Sequence, residues 1–195
     1  MTSKKQETSE KIMAAAIDLM AIKGYNGVTT EEIATKAGFT EKTLFRHFKN
    51  KQNLLESAFH HYHYAEEMRD LFSNEIRWEL YADLMMISRI YHQIMYQNRK
   101  LILISSRERD NLPGFKESTH KHPQQLKDFL TEYFEEMYNK GKVIKADHER
   151  QALSFLYMNY GAAIGKISAD PILEALSIEE FIEESVSIFT RGITP

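Results

Sequence analysis

Between Thr29 and Lys51 the chain reads TTEEIATKAGFTEKTLFRHFKNK, two short amphipathic stretches that meet at Ala37-Gly38-Phe39. Thr29 followed three residues later by Glu32 is a capping box, in which a hydroxyl and a carboxylate satisfy the free amides of a helix start in turn. A helix therefore begins near Thr30. Ile33, Ala34 and Ala37 form its apolar face, and Gly38 stands just past its end, where a left-handed backbone costs least without a Cβ. Phe39 is placed to plug the turn, and Thr40 to cap a second helix whose Leu44 and Phe48 share one side at i, i+4 spacing. The other side carries Thr40, Glu41, Lys42, Thr43, Arg46 and His47. Two helices joined so tightly, the second polar and basic on its outer face, read as a helix-turn-helix whose second helix reads DNA.

The flanks complete a small three-walled core. Ile12, Ala15, Ala16, Leu19 and Met20 make a helical stripe that ends at Gly24. On the other side Asn50 caps a longer helix with Lys51 in its first turn, where a cation opposes the helix dipole. We therefore read Lys51 as held for an external anion such as a phosphate. The same helix carries Leu55, Ala58, Phe59 and Tyr62 on one side and runs toward Tyr64, as the expected connector to the rest of the chain.

The run from Ile12 through Leu55, with GYNGVTTEEIATKAGFTEKTLFRHFKNKQNLL inside it, resembles the DNA-binding domain of the TetR family of transcriptional repressors. Specific motifs cover roughly the first third of the chain; the remainder is similar to that family in length and helical style. The resemblance implies a DNA-binding domain over residues 1–50 and a helical ligand-binding and dimerisation domain over 51–195. By the family's pattern, Lys42 and Arg46 meet base edges, since long cationic donors suit guanine O6 and N7, and Glu41 accepts from a cytosine amino group. Thr29, Thr43, His47 and Lys51 match backbone-contacting positions, and Thr30 and Thr40 join the same face. Phe45 departs from the family's common tyrosine, which removes a hydroxyl contact to phosphate and leaves apolar contact with a thymine methyl. Lys4 and Lys5 form an expected flexible arm that adds phosphate or minor-groove contacts.

Charge follows the same division. Residues 1–60 hold nine Lys and Arg against seven acidic residues, for +2, while the rest of the 195-residue chain carries -5. The basic end suits a phosphate backbone and the acidic body is repelled by it. With no cysteine, disulfides and thiolate metal sites are excluded, and a cytoplasmic location is expected. The longest apolar runs, such as Leu101 to Ile104, are far too short to span a bilayer, and Asp18 and Lys23 interrupt any N-terminal signal-like stretch. We expect no membrane partner.

Beyond residue 50 helical patterns follow one another, separated by turn chemistry at Asn111-Leu-Pro-Gly114, His122-Pro123, Asn139-Lys-Gly-Lys142 and Ser168-Ala-Asp-Pro171. The fold expected is all-α, with neither repeats nor strand-like alternation. Trp78, Tyr81, Met85, Tyr96, Phe129, Tyr133, Phe155 and Tyr160 supply large or pliant side chains. Most residues of this kind are core. The family resemblance nevertheless implies an effector pocket in this half, and these residues are our candidates for its wall. Arg89, Arg107, Arg109 and Glu79 or Asp83 are the candidate polar contacts.

Near the C-terminus, Ala152, Leu156, Gly161, Ala162 and Gly165 lie along one helical stretch, and its small residues permit close helix approach. Glycine inside a helix costs roughly 1 kcal/mol relative to alanine, so some contact must offset it. The last helix opens with a Ser177/Glu180 box and places Ile178, Phe181, Ile182, Val186 and Phe189 in a stripe that ends by Gly192. The last two helices are thus the expected homodimer interface, as the resemblance also implies. A twofold dimer sets its reading helices ~34 Å apart on a palindromic operator.

His60 and His63 lie three apart, and His92 or His120 offers a third ring, but no ligating carboxylate is placed beside them. We expect no metal and no cofactor. An enzyme is disfavoured by the lack of a phosphate loop, a nucleophile elbow or a zinc-protease motif. The reading is a DNA-binding regulator that releases double-stranded operator DNA when a small, largely apolar effector binds. The alternative is a ligand-independent architectural or cell-division DNA-binding protein of the same fold.

Overall fold

The structure, a computed structural model, describes residues 4–62, 65–108 and 110–195, with side chains except at 65, 66, 116, 118–121 and 174. The described residues hold eleven helices and no strand: α1 Lys4–Lys23, α2 Thr30–Ala37, α3 Glu41–Phe48, α4 Lys51–His61, α5 Ala65–Asn74, α6 Leu80–Gln97, α7 Arg99–Glu108, α8 Phe115–Asn139, α9 His148–Ile167, α10 Pro171–Glu174 and α11 Ile178–Ile193. The fold is all-α, as its periodicities predict. His63, Tyr64, Arg109 and the side chain of His120 lie outside the described residues.

Two compact units divide the chain, one of Met1–His63 with Asn98–His120, the other of Tyr64–Gln97 with Lys121–Pro195. The first is larger than the domain expected over residues 1–50. The reason is burial: Leu101, Ile104 and Phe115 sit in the same hydrophobic core as Ile12, Ala16, Met20, Ile33, Leu44, Leu54 and Ala58. Each such side chain removed from water contributes about 1.5–3 kcal/mol, so α7 belongs energetically to this unit. An ion triad holds the periphery, with Asp18 of α1 accepting from Lys100 of α7 at 2.7 Å and facing Lys36 of α2 at 3.3 Å.

Local chemistry sets the helix ends here. The Thr29 hydroxyl accepts from the Glu32 amide at 3.1 Å while the Glu32 carboxylate accepts from the Thr29 amide at 2.9 Å. At the far end of α2, Gly38 has φ 79°, its amide bonds to the Thr35 carbonyl, and the Phe39 amide reaches back to Ala34. That pair of bonds closes the helix and turns the chain into α3. Thr40 and Asn50 cap α3 and α4, accepting from the amides of Thr43 and Asn53. Lys4 and Lys5, read as an arm, instead form the first turn of α1, because Thr8 and Ser9 donate to their carbonyls.

In the second unit α6 packs against α9 and α11. The sequence read His122-Pro123 as a turn, but α8 continues through Pro123 for 25 residues. A proline forgoes its own amide bond and crowds the carbonyl four residues earlier, a local cost that the apolar face beyond it, with Leu126, Leu130, Phe134 and Met137 buried, offsets. The small-residue stripe of α9 also has an internal explanation at one position. A Cβ on Gly165 would lie 2.1 Å from Leu173 Cδ1, so the glycine admits α10 of its own chain. Gly161 has open space above it.

Candidate nucleic-acid interface and effector cavity

Helix α3 divides cleanly. Leu44 and Phe48 are buried in the core, whereas Lys42, Phe45 and Arg46 are exposed, Phe45 at 42 %. Among the described residues no ion pair holds Lys42 or Arg46. Two long cations one turn apart with an exposed ring between them suit the base edges and thymine methyls of a major groove.

The other candidate DNA contacts have duties inside the fold. Thr29 and Thr40 are helix caps, Thr43 Oγ1 lies 3.1 Å from Thr40 Oγ1, and Thr30 Oγ1 donates to Glu41 Oε1 at 2.5 Å. The last bond ties α2 to α3 and engages one carboxylate oxygen of the residue read as a cytosine acceptor. His47 Nδ1 lies 2.7 Å from Ser9 Oγ of α1, the donor being set by the imidazole tautomer. Partial burial, with Arg46 and Lys5 nearby, pushes the His47 imidazole below its ordinary value. No local pattern marks Ser9 as the partner of a residue in α3.

Lys51 is engaged inside the fold. Its ammonium donates to the carbonyls of Tyr25 and Val28 at 2.9 and 2.8 Å and sits 4.3 Å from the Tyr25 ring centroid. Burial lowers its pKa, opposed by Glu108. These internal carbonyls offset the unfavourable position of a lysine at this end of the helix dipole.

The candidate pocket residues do not converge on one space. Met85, Tyr133 and Phe155 are buried core. Trp78 stacks on Tyr133 with centroids 5.9 Å apart, Phe129 stacks on Phe72 at 5.5 Å, and Phe155 meets Phe134 and Phe189. These rings fill the space between them. Asp83 is likewise structural: it accepts from the amides of Arg77 and Glu79 and from the Tyr133 hydroxyl at 3.0 Å. Burial, then the Asp83 charge, push the Tyr133 phenol up. Glu79, Tyr81 and Tyr160 are exposed on the same unit, and Arg107 is exposed on the other one. Arg89 pairs with Glu179 of α11.

Arg89 and Tyr96 do line a cavity of about 710 Å³ in the second unit, with His92, Met95, Ala163 and Ile182. A more open depression of about 800 Å³ includes Tyr81, Lys142 and Arg191. Among the described residues no three His, Asp or Glu side chains could hold a metal ion, and no helix is long and apolar enough to cross a membrane.

A capped helix-turn-helix with an exposed basic face, carried on an all-helical chain, defines a helix-turn-helix DNA-binding protein. Residues 12–58 match the family described as bacterial regulatory proteins, tetR family. The helix-turn-helix segment is thus similar to that of the TetR family of bacterial regulatory proteins. It is 29 % identical over 187 residues to the Bacillus subtilis protein named as the uncharacterized HTH-type transcriptional regulator YvkB, covering 96 % of this chain and 97 % of that one. The fold is similar to that of a TetR transcription regulator from Haloarcula marismortui, with TM-score 0.78 and 16 % identity over 97 % of this chain and 99 % of that one. It is also similar to NalD, the secondary repressor of the MexAB-OprM multidrug efflux pump in Pseudomonas aeruginosa, with TM-score 0.77 and 18 % identity over 98 % of each.

Proposed function

We propose that the protein is a cytoplasmic transcriptional repressor that binds a palindromic operator as a homodimer and is released by a small, largely apolar effector. The observation that carries the DNA-binding half is the exposed Lys42-Phe45-Arg46 face on a helix whose other side is buried. Lys42 and Arg46 read bases, while Thr29, Thr30, Thr40, Thr43 and His47 fix the register on phosphates through hydroxyl, ring and backbone groups. Repression by occupancy fits the role of NalD as a secondary repressor.

Dimerisation through α9 and α11 is supported by what these helices leave in solvent. Tyr157 and Ile188 are 65 % and 67 % exposed, Tyr160 is also exposed, and Gly161 has room above it for a neighbouring helix. Large apolar groups gathered on two helices are a usual mark of a protein interface. An effector then acts by its unequal affinity for DNA-competent and DNA-incompetent states of the dimer. The interlocked rings around Tyr133 favour a second reading, a ligand-independent DNA-binding protein, because they close the space that the aromatic residues were expected to line.

Selection of bound duplexes from a random pool, followed by sedimentation of the complex, tests the proposal. An inverted repeat bound by two chains is expected. Recovery of unrelated sequences, or a single chain on the recovered DNA, overturns it.

A further inference from the structure

The cavity of about 710 Å³ has a wall of Met95, Ala163, Ile167, Leu176 and Ile182 from α6, α9 and the α10–α11 segment. Space of this size and lining suits a drug-sized organic molecule. Of the polar residues that also line it, Arg89, His92, Gln93, Lys166, Ser177 and Glu179, only His92 is buried. His92 is only 6 % exposed, and its Nε2 is shielded from water, with the Asn159 side chain nearby but no partner in good hydrogen-bonding geometry.

The nitrogen is not an isolated lapse. Ser88 Oγ, one turn earlier on α6, and Asn159 Oδ1 on α9 are also buried and unpaired, while the Asn159 amide is already spent on the Phe155 carbonyl at 2.9 Å. Native folds rarely leave buried polar atoms unsatisfied, since each forfeits its bonds to water. A molecule in the cavity that brings its own hydrogen-bonding group removes the cost at His92.

Charge narrows what that molecule is. Burial pushes the His92 imidazole down to about 4, opposed by the neighbouring Asn159 side chain, so the ring is neutral at physiological pH. A neutral ring exchanges a hydrogen bond but compensates no charge. At the mouth, Arg89 and Glu179 are committed to each other, and Lys166 also has an interaction of its own. Neither an anion nor a cation meets an uncommitted countercharge.

We propose that this cavity is the effector site and takes an uncharged, mainly apolar molecule whose single hydroxyl or carbonyl group is met by His92. The inference rests on the reading of the protein as an effector-released regulator.

Nile red, an uncharged dye that brightens in apolar surroundings, is titrated into the full-length protein. It is then displaced by 1-decanol, decanoate or decylammonium, three equal chains with different head charges. The dye brightens, and the alcohol displaces it at lower concentration than either ion, because neither charged head meets a free countercharge in the cavity. His92→Phe keeps a ring of similar size without nitrogen and raises the alcohol concentration needed about tenfold, the ratio expected of one lost hydrogen bond, whereas His92→Gln does not. Ala163→Trp fills the space and abolishes dye binding. Dichroism and melting establish that the variants are folded, and His92→Gln carries the test if His92→Phe is not. A stronger ion, alcohol displacement that is unchanged in folded His92→Phe or weakened in folded His92→Gln, or equal brightening of Ala163→Trp overturns the proposal. Operator affinity is measured on the same preparations. Intact DNA binding with no head-group preference overturns only the cavity assignment, while no DNA binding at all overturns the regulator reading beneath it.

Discussion

The ammonium of Lys51, the first residue of α4, donates to the carbonyl of Val28 at 2.8 Å, in the loop that leads into α2. Together with its bond to Tyr25 it fixes the entry to the helix-turn-helix from behind.

Lys51→Met, which keeps most of the aliphatic stem, is therefore expected to cost about 1–3 kcal/mol of stability through the loss of charged hydrogen bonds, seen as a lower midpoint in urea. A lysine spent on phosphate would instead reduce the salt dependence of operator binding by about one unit of slope. We expect that slope to stay at its wild-type value.

Lys42→Ala and Arg46→Ala are expected to leave the melting temperature unchanged, since both side chains are exposed. Each should cost about 1–3 kcal/mol in operator affinity and relax the sequence requirement at one position. Fluorescence anisotropy at fixed salt on single-base operator variants measures both effects. Unchanged affinity in both variants would place the reading face elsewhere.

His92 makes the second unit sensitive to acid. Its folded value of about 4 lies below the unfolded 6.5, so its contribution to stability is complete above pH 6.5 and is lost as pH falls toward 4. The difference amounts to about 3 kcal/mol. Between pH 7 and pH 4, His92→Phe should gain that much in unfolding free energy relative to wild type, as followed by chemical denaturation. Parallel stability curves for the two proteins would contradict the buried, neutral ring.

Asp83→Asn replaces an acceptor-only side chain that serves two amides and a phenol with one that offers a single acceptor oxygen. The expected cost is about 2–3 kcal/mol, and Tyr133→Phe should cost about 1 kcal/mol. In the double variant the losses should fall short of additive, because both remove the same bond. A thermal-melt cycle on the four proteins tests this.

How much of this was legible in the sequence depended on distance along the chain. The turn at Gly38 was readable because its cap, its apolar face and its left-handed residue lie within a dozen positions, and neighbouring atoms complete each. The core face of α1 was readable for the same reason, whereas the stripe of α11 was read as a dimer face and its Ile182 and Val186 are buried within their own chain. The internal partners of Lys51 were not legible because its acceptors, Tyr25 and Val28, are more than twenty residues away. The aromatic residues of α8 and α9 carried no sign of whether they would surround a space or fill it, since that depends on Phe72 and Phe189 arriving from two other helices. His92 appeared only as a remote metal ligand, and its solitary burial became visible once α6 met α9.

The presence of Leu101, Ile104 and Phe115 in the core beneath the helix-turn-helix bears on protein engineering. A chimaera that grafts only the first sixty residues onto another regulator would inherit a reader missing part of its floor. Exchange of operator preference between relatives should therefore be attempted with two crossovers, carrying residues 98–115 along with the graft.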